Sequence, residues 1–596
     1  MASISSHALV QQIPAWAAHG GITDYTRPQP LKLRPVSLPG GMPCTHPSLV
    51  DEDNMLFNRS IRPERLTLLV SLGLVLFYNF PFWREMLRIV GPLDGQGVKL
   101  LLESFLLVTA FYNLVLSLFN WPYLGKPLIA LLLLISSFIT YFMNQYGVMI
   151  DVHMVQNAVQ TDHKEVRDLL TGKMALFFIV LGVLPAWWVC RRQIQWRSPL
   201  REGGVRLLTL LVSAAVLLGI AFAAYQDFAS LFRNNRQLRH YLTPFNYIQA
   251  TNGYIQDHYF SGPVVISPLG EDAKRDASWQ QHKRKTVFVL VVGETARADH
   301  FSLNGYPRNT NPKLSAQPGL INLPNVHSCG TETAVSVPCM FSDIGRDNYS
   351  GDKAARQENV LDVLKRAGYN VIWRDNQSGC KDVCNRVTLE DVSGSKDDKL
   401  CSTGECWDEI LLKNAQQLID KSDRDVVLVL HQMGSHGPAY YKRYPPAMEQ
   451  FKPVCQTSEL SRCPREQIIN GFDNTILYTD TVLSGIIDFL RANQQRYNTG
   501  MLYMSDHGES LGENGMYLHG TPYLFAPEAQ KHIGAMMWFS DSFQQEVGLN
   551  QRCLEGRKAE PYSHDNLFHS LLGLLGVHTS VYNKQLDMFA PCRQSS

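Results

Sequence analysis

Hydrophobic positions follow two different patterns along this chain. Residues 66–83, 100–119, 127–145, 174–190 and 206–224 are long apolar runs, each close to the roughly 20 residues a helix needs to cross a bilayer. One such run would also suit a buried core helix, but five in succession, including the tract Leu131 to Ile135, predict a five-helix membrane domain. From position 285 the apolar runs become short, end in Gly or polar residues, and alternate with helical periodicity. Thr286 to Val292 predicts a buried strand. Val360 to Ala367 predicts an amphipathic helix closed by Gly368, leading into a strand at Tyr369 to Trp373; Val426 to Leu430 and Met501 to Met504 predict two more strands. Helices alternating with short buried strands make an α/β domain around a mainly parallel sheet.

The 596 residues exceed what one hydrophobic core usually serves. The pattern divides them into a flexible tail (1–58), a membrane domain (59–225), an interfacial linker (226–284) and a soluble domain (285–596), which the site residues below make the catalytic one. The tail carries Pro28, Pro30, Pro35, Pro39 and Pro43 without periodicity, and nothing in it resembles a cleavable signal peptide. The linker is rich in aromatics, among them Tyr241, Phe245, Tyr247, Tyr254, Tyr259 and Phe260, as expected of a segment lying along a membrane surface.

Charge sets the orientation. Arg59, Arg62 and Arg65 precede the first span, and Arg191, Arg192, Arg197, Arg201 and Arg206 crowd the loop between the fourth and fifth; both belong in the cytoplasm by the positive-inside rule. An odd number of spans then puts everything after residue 225 on the far side of the membrane. Ten of the 12 cysteines fall after position 320. Cys329 with Cys339, Cys380 with Cys384, Cys401 with Cys406, Cys455 with Cys463, and at longer range Cys553 with Cys592 predict disulfides in an oxidising compartment; free thiols or a structural zinc site are the other readings. A formal net charge of +1 argues against a nucleic-acid partner.

Ligands of parallel α/β sheets gather at the carboxyl ends of the strands. Glu294 follows the first run, His431 and His436 another, and Asp506 with His507 a third. Asp, Glu and His together suit Zn2+, although an Asp-His pair after a strand is also an ordinary turn. Thr333 stands ahead of a helix start, where a metal and the helix amino terminus would both favour its alkoxide as a nucleophile; a helix cap is the other reading. In the loop between the third and fourth spans, Asn157 and Thr161 sit four apart, on one face of a helix. That face reads equally as a phospholipid headgroup site or as a solvated interfacial surface.

The strings Val292-Gly293-Glu294-Thr295-Ala296-Arg297, Ser328-Cys329-Gly330-Thr331-Glu332-Thr333-Ala334 with Ser336-Val337-Pro338-Cys339, Gly434-Ser435-His436-Gly437-Pro438 and Ser505-Asp506-His507-Gly508-Glu509-Ser510-Leu511-Gly512 resemble those of the phosphoethanolamine transferase family, which includes the lipid A transferases of colistin resistance. The likeness runs from the first span to the carboxyl end and leaves out the tail. It implies an alkaline-phosphatase-like (sulfatase-like) soluble domain in which Glu294, Thr333, Asp506 and His507 bind zinc. It implies further that Thr333 takes phosphoethanolamine from phosphatidylethanolamine and passes it to a lipid A phosphate. His436 and His519 match family histidines near the transferred phosphate or a second, weaker zinc. Ser378 and Lys381 match donor-binding positions, as do Asn157 and Thr161; a lysine between two cysteines is equally read as solvated surface. His564, Asp565 and His569, and likewise His327 and His431, are assigned to the fold rather than to zinc.

The resemblance thus describes a membrane-embedded, zinc-dependent transferase, expected to be a monomer, acting on lipid A and conferring polymyxin resistance. Transfer to core sugars or glucans, a zinc phosphodiesterase or sulfatase-type hydrolase, and a non-enzymatic transporter or sensor are the competing functions. The scarcity of charged residues within the spans speaks against the transporter.

Overall fold

The computed structural model describes residues 60–593, apart from 92–93, 161–165, 168, 225–227, 229–230, 233–234, 236, 260–264, 278, 280–281, 403–404 and 459. The expected tail, Thr161 and Phe260 lie outside the described residues.

Helices α1 (Pro63–Tyr78) and α2 (Phe80–Val90) form a pair bent by 64°. They are followed by α3 (Gly95–Phe119), α4 (Gly125–Tyr146), the short α5 (Val152–Gln160), α6 (Gly172–Arg191), α7 (Pro199–Ala223) and α8 (Phe245–Tyr259). Among the described residues α3, α4, α6 and α7 are each long and apolar enough to cross a membrane, and the bent pair counted as one span makes five. Leu207, Leu208, Leu211, Leu218 and Phe222 of α7 are exposed, which suits a helix facing lipid.

The first apolar run is therefore not one straight helix, and the bend has an identifiable cause. The last turn of α1 is a π-helix over Leu74–Tyr78, and Pro81 stands at the start of α2. Asn79 sits at the break, where its Nδ2 donates to the Leu74 carbonyl (2.9 Å) and to the Thr243 carbonyl (2.7 Å), while its Oδ1 accepts from the Thr243 amide (2.9 Å). Tyr112 Oη also donates to the Thr243 carbonyl, at 2.6 Å. Backbone groups that a broken helix frees cannot turn to water within a bilayer, so side chains satisfy them. The consequence is that Thr243, just ahead of α8, is buried in the helix bundle.

In the soluble part the described elements include β1 (Lys274–Arg275), β2 (Lys285–Gly293), β3 (Ile321–Asn322), α9 (Thr333–Met340), α10 (Val360–Arg366), β4 (Asn370–Asp375), β5 (Thr388–Asp391), β6 (Val426–His431), α11 (Arg465–Asn493), β7 (Tyr497–Ser505), β8 (Ala535–Phe539), α12 (Asp565–Leu574) and β9 (Val577–His578). The main sheet runs β3-β8-β7-β2-β6-β4-β5. From β7 to β5 every neighbour is parallel; β8 and β3 close the edge antiparallel. Upstream of the sheet, β1 pairs with β9.

Strand β2 is buried on both faces, as its unbroken apolar run requires. Phe288, Leu290 and Val292 pack with Val360, Leu364, Phe568 and Leu571 of α10 and α12. Val287, Val289 and Val291 pack with Phe472, Ile476 and Leu483 of α11. Burial of each such side chain contributes about 1.5–3 kcal/mol, so the strand's register is strongly specified. Gly368, at φ +97°, ends α10 as expected and turns the chain into β4. All five expected cysteine pairs are disulfides.

Candidate active site

Four adjacent strands deliver the site residues at their carboxyl ends. Glu294 follows β2, Gln377 and Ser378 follow β4, His431 ends β6 and Asp506-His507 follow β7. Thr333 is the first residue of α9. Its Oγ1 donates to Glu294 Oε2 at 3.1 Å and lies 3.4 Å from His507 Nε2. One ligand atom each from Glu294, Asp506 and His507 fall within 4.8 Å of one another. The loop that carries His436 passes so close that a Cβ at Gly434 would meet the Glu294 carbonyl oxygen at 2.6 Å, and its φ of +51° also demands glycine.

The donor set fits a cation. The Gly508 carbonyl lies 2.9 Å from His507 Nδ1; a proton assigned to that nitrogen leaves the Nε2 lone pair facing Glu294 Oε1 at 3.5 Å and Asp506 Oδ2 at 3.4 Å. Among the described residues those two buried carboxylate oxygens have no hydrogen-bond partner, an arrangement that costs several kcal/mol unless a positive charge joins them. Burial, followed by the neighbouring Asp506 charge, pushes Glu294 well above the carboxylate range. Burial likewise raises Asp506 to about 6 and drives His507 well below its ordinary value. Two acids and a neutral imidazole, all dry and mutually close, describe a site for a divalent metal.

The remaining expected residues surround this centre. The His519 ring stands 4.3 Å from that of His507 and 5.9 Å from that of His436. Burial alone would lower His519, but the carboxylates of Glu509, Glu294 and Asp506 outweigh it and hold the imidazole up at about 9. His436 goes the other way: burial, and then the Arg443 charge, push it well below its usual range. Lys381 Nζ donates to Ser378 Oγ at 3.0 Å. Asn157, Ser378, Lys381, His436 and His519 all line, with Thr333, one cavity of about 420 Å³. Its other end is apolar and formed by membrane-side residues that include Phe142, Met154, Leu169 and Met174.

His564 accepts from the Cys329 amide at 3.0 Å and places its other nitrogen 3.0 Å from the Ser505 carbonyl. His569 accepts from the Asn583 amide, Asp565 from the Arg346 amide, and His431 Nδ1 lies 3.0 Å from Asp375 Oδ2. His327 contacts Glu528 at 3.1 Å.

An 'EptA' phosphoethanolamine transferase of Escherichia coli (strain K12) is 42% identical over 550 residues, 91% of this chain and 100% of its own length. The chain belongs to the phosphoethanolamine transferase family. The family profile "Phosphoethanolamine transferase EptA/EptB" matches residues 108–259, and a "Sulfatase" profile matches residues 286–577. A phosphatidylethanolamine transferase, Mcr-1, of Escherichia coli is 37% identical over 500 residues, covering 82% of this chain and 92% of that protein. The integral membrane lipooligosaccharide phosphoethanolamine transferase A of Neisseria meningitidis superposes with a TM-score of 0.87 at 38% identity, over 90% of this chain and 100% of that one. In this phosphoethanolamine transferase the helical membrane domain and the alkaline-phosphatase-like catalytic domain are accordingly those of the family.

Three residues that sequence reasoning passed over complete the site. Gln377 Nε2 donates to Glu294 Oε2 at 2.7 Å. Glu509, fully buried, lies 2.9 Å from His519 Nδ1 and accepts from Tyr440 Oη at 2.5 Å. Arg297 donates to the Glu509 carbonyl at 2.8 Å and to Glu513 at 2.9 Å. Glu509 and Arg297 stood inside two of the family strings, and Gln377 beside Ser378, so their places were visible while their partners were not.

Proposed function

We propose that this protein takes phosphoethanolamine from phosphatidylethanolamine and transfers it to a phosphate of lipid A by way of a phosphothreonine at Thr333. The observation that carries this reading is the position of the Thr333 hydroxyl, held by Glu294 and His507 at the polar end of an apolar cavity walled by membrane helices. Such a cavity suits a diacyl lipid whose headgroup must reach a buried nucleophile. The names of relatives agree: Mcr-1 is called a phosphatidylethanolamine transferase, the Neisseria protein acts on lipooligosaccharide, and a more distant relative at 27% identity is a Kdo(2)-lipid A phosphoethanolamine transferase.

In this reading Glu294, Thr333, Asp506 and His507 hold Zn2+. When bound, the ion supplies positive charge that favours the deprotonated hydroxyl and the developing phosphoryl oxygens. The Thr333 hydroxyl passes its proton to Glu294 Oε2, to which it is hydrogen-bonded, and Oγ1 attacks phosphorus; the bond from phosphorus to the diacylglycerol oxygen breaks, and that oxygen leaves with the proton of the His519 imidazolium. A lipid A phosphate oxygen then attacks the same phosphorus, the bond to Oγ1 breaks, Oγ1 takes its proton back from Glu294, and His519 is reprotonated from solvent. Lys381 and Ser378 bind the donor phosphate, and Asn157, with Thr161, holds the donor from the membrane side. Residues 59–225 form the membrane domain of a bacterial inner-membrane protein, 226–284 the linker, and 285–596 a periplasmic catalytic domain.

Mass spectrometry of lipid A from a strain expressing the protein tests the acceptor. Lipid A should gain phosphoethanolamine on a phosphate, and polymyxin susceptibility should fall because a zwitterion replaces negative charge. Unmodified lipid A in a strain carrying the intact protein in its membrane would refute the assignment.

The role given to His519 makes a pH prediction. A histidine that burial would lower but the Glu509 carboxylate raises keeps its proton at low pH and loses it as pH rises, so donor cleavage should decline on an alkaline limb. Glu509→Gln removes the carboxylate that most raises the imidazole. The limb should move to lower pH and activity at neutral pH should fall by about 10- to 100-fold, as measured by diacylglycerol release across a pH series.

A further inference from the structure

Immediately before the nucleophile stands a carboxylate that this mechanism leaves without a task. Glu332 is only 3% exposed, yet among the described residues its side chain makes no hydrogen bond. Its nearest ion-pair partner is His153 Nδ1 on α5, at 3.9 Å, beyond hydrogen-bonding distance. The other charges that act on it are Asp151, His519 and Arg346. Asp151 adds a second negative charge and is turned into the start of α5, accepting from the Met154 amide at 2.9 Å. Arg346 is committed elsewhere, donating to the Cys329 carbonyl at 2.7 Å and stacking 4.1 Å over the Tyr523 ring.

This carboxylate borders the cavity. A Cβ at Gly520, next to the cavity residue His519, would meet Glu332 Oε2 at 3.2 Å, Met154 Cε at 2.9 Å and Asn157 Nδ2 at 4.0 Å. Met154, Asn157, Thr333 and His519 all line the cavity; Glu332 is not itself part of that lining and lies immediately behind it, next to Thr333 in the chain and beside Met154 and Asn157 across Gly520. The φ of +83° at Gly520 and the absence of a side chain there keep this approach open.

A buried carboxylate without donors is costly unless a cation comes to it. The headgroup of the reaction supplies one: a phosphate joined through two carbons to an ammonium. Lys381 stands in the cavity as positive charge for the phosphate, while the Glu332 carboxyl, just behind the wall beside Thr333, is an acidic acceptor without a hydrogen-bond donor of its own among the described residues. We propose that Glu332 binds the ammonium group of the transferred headgroup and thereby selects amine-bearing donors, a role that rests on the transferase reading above.

The test uses the full chain in detergent micelles and follows diacylglycerol release from two donors, phosphatidylethanolamine and its N-acetyl derivative, which keeps the phosphate and loses the charge. Wild type should favour phosphatidylethanolamine by at least about tenfold, the scale of a charge-assisted hydrogen bond. Glu332→Gln should bring the two donors to near equality by losing activity on phosphatidylethanolamine alone, whereas Glu332→Asp, which keeps the charge, should retain a preference. An unchanged preference in Glu332→Gln overturns the proposal. So does an equal loss on both donors, which would mean that the approach to His153 merely holds the catalytic loop against α5. Should Glu332→Gln not fold, loss of the preference in Glu332→Asp would count against the proposal in the same way. Wild type that releases diacylglycerol from neither donor would instead overturn the transferase reading itself.

Discussion

Thr333→Ala should abolish headgroup transfer, with a loss on the order of a thousandfold or more, while the protein should still fold and insert. The hydroxyl has one strong polar partner, Glu294 Oε2 at 3.1 Å, and Ala is a better helix former than Thr at the start of α9. Stability should therefore change by no more than about 1 kcal/mol, and the melting temperature of the variant should stay near that of wild type. Thr333→Ser, which keeps the nucleophilic oxygen, should retain part of the activity. The decisive measurement is the mass of the peptide containing residue 333 after exposure to phosphatidylethanolamine without acceptor. It should carry phosphoethanolamine in wild type and not in Thr333→Ala; transfer at the wild-type rate by the alanine variant would end the covalent reading.

The second large effect is on stability. Arg297 is 5% exposed and uses its guanidinium fully: both carboxylate oxygens of Asp299 at 2.7 Å, Glu513 at 2.9 Å and the Glu509 carbonyl at 2.8 Å. It clamps the segment after Asp506-His507 onto the end of β2. Arg297→Ala leaves a buried carbonyl without its donor and Glu513 without its main partner, and should cost about 3 kcal/mol. Thermal unfolding should show a clear fall in melting temperature, with activity falling too because Glu509 and thus His519 lose their anchorage. Arg297→Lys should recover only a part, since an ammonium cannot make the paired contact with Asp299. A melting curve for Arg297→Ala that overlays wild type would show that the clamp does not matter.

Sequence periodicity located the membrane runs, β2, α10, β4, β6 and β7 to within a few residues, because each is governed by burial of its own side chains. It also brought Glu294, Asp506 and His507 forward as strand-end residues before any sheet was known. It did not reveal the bend at Asn79. A hydrophobic run reports only that a segment is apolar, whereas the bend depends on Asn79 finding Thr243, 164 positions away. Asn79 itself and Pro81 were the available signals. Gln377 was missed for the same reason: nothing near it in the chain requires it to reach Glu294, 83 positions earlier.

The sequence by itself determined which stretches meet lipid and which form buried strands, since those outcomes depend on the solvent preference of contiguous residues. Which strand ends become neighbours was decided only by the tertiary structure. The order β7-β2-β6-β4 brings His507 to Thr333 across 174 positions and Arg297 to Glu509 across 212. Such contacts arise from the packing of helices on both faces of the sheet, and local periodicity carries no information about them.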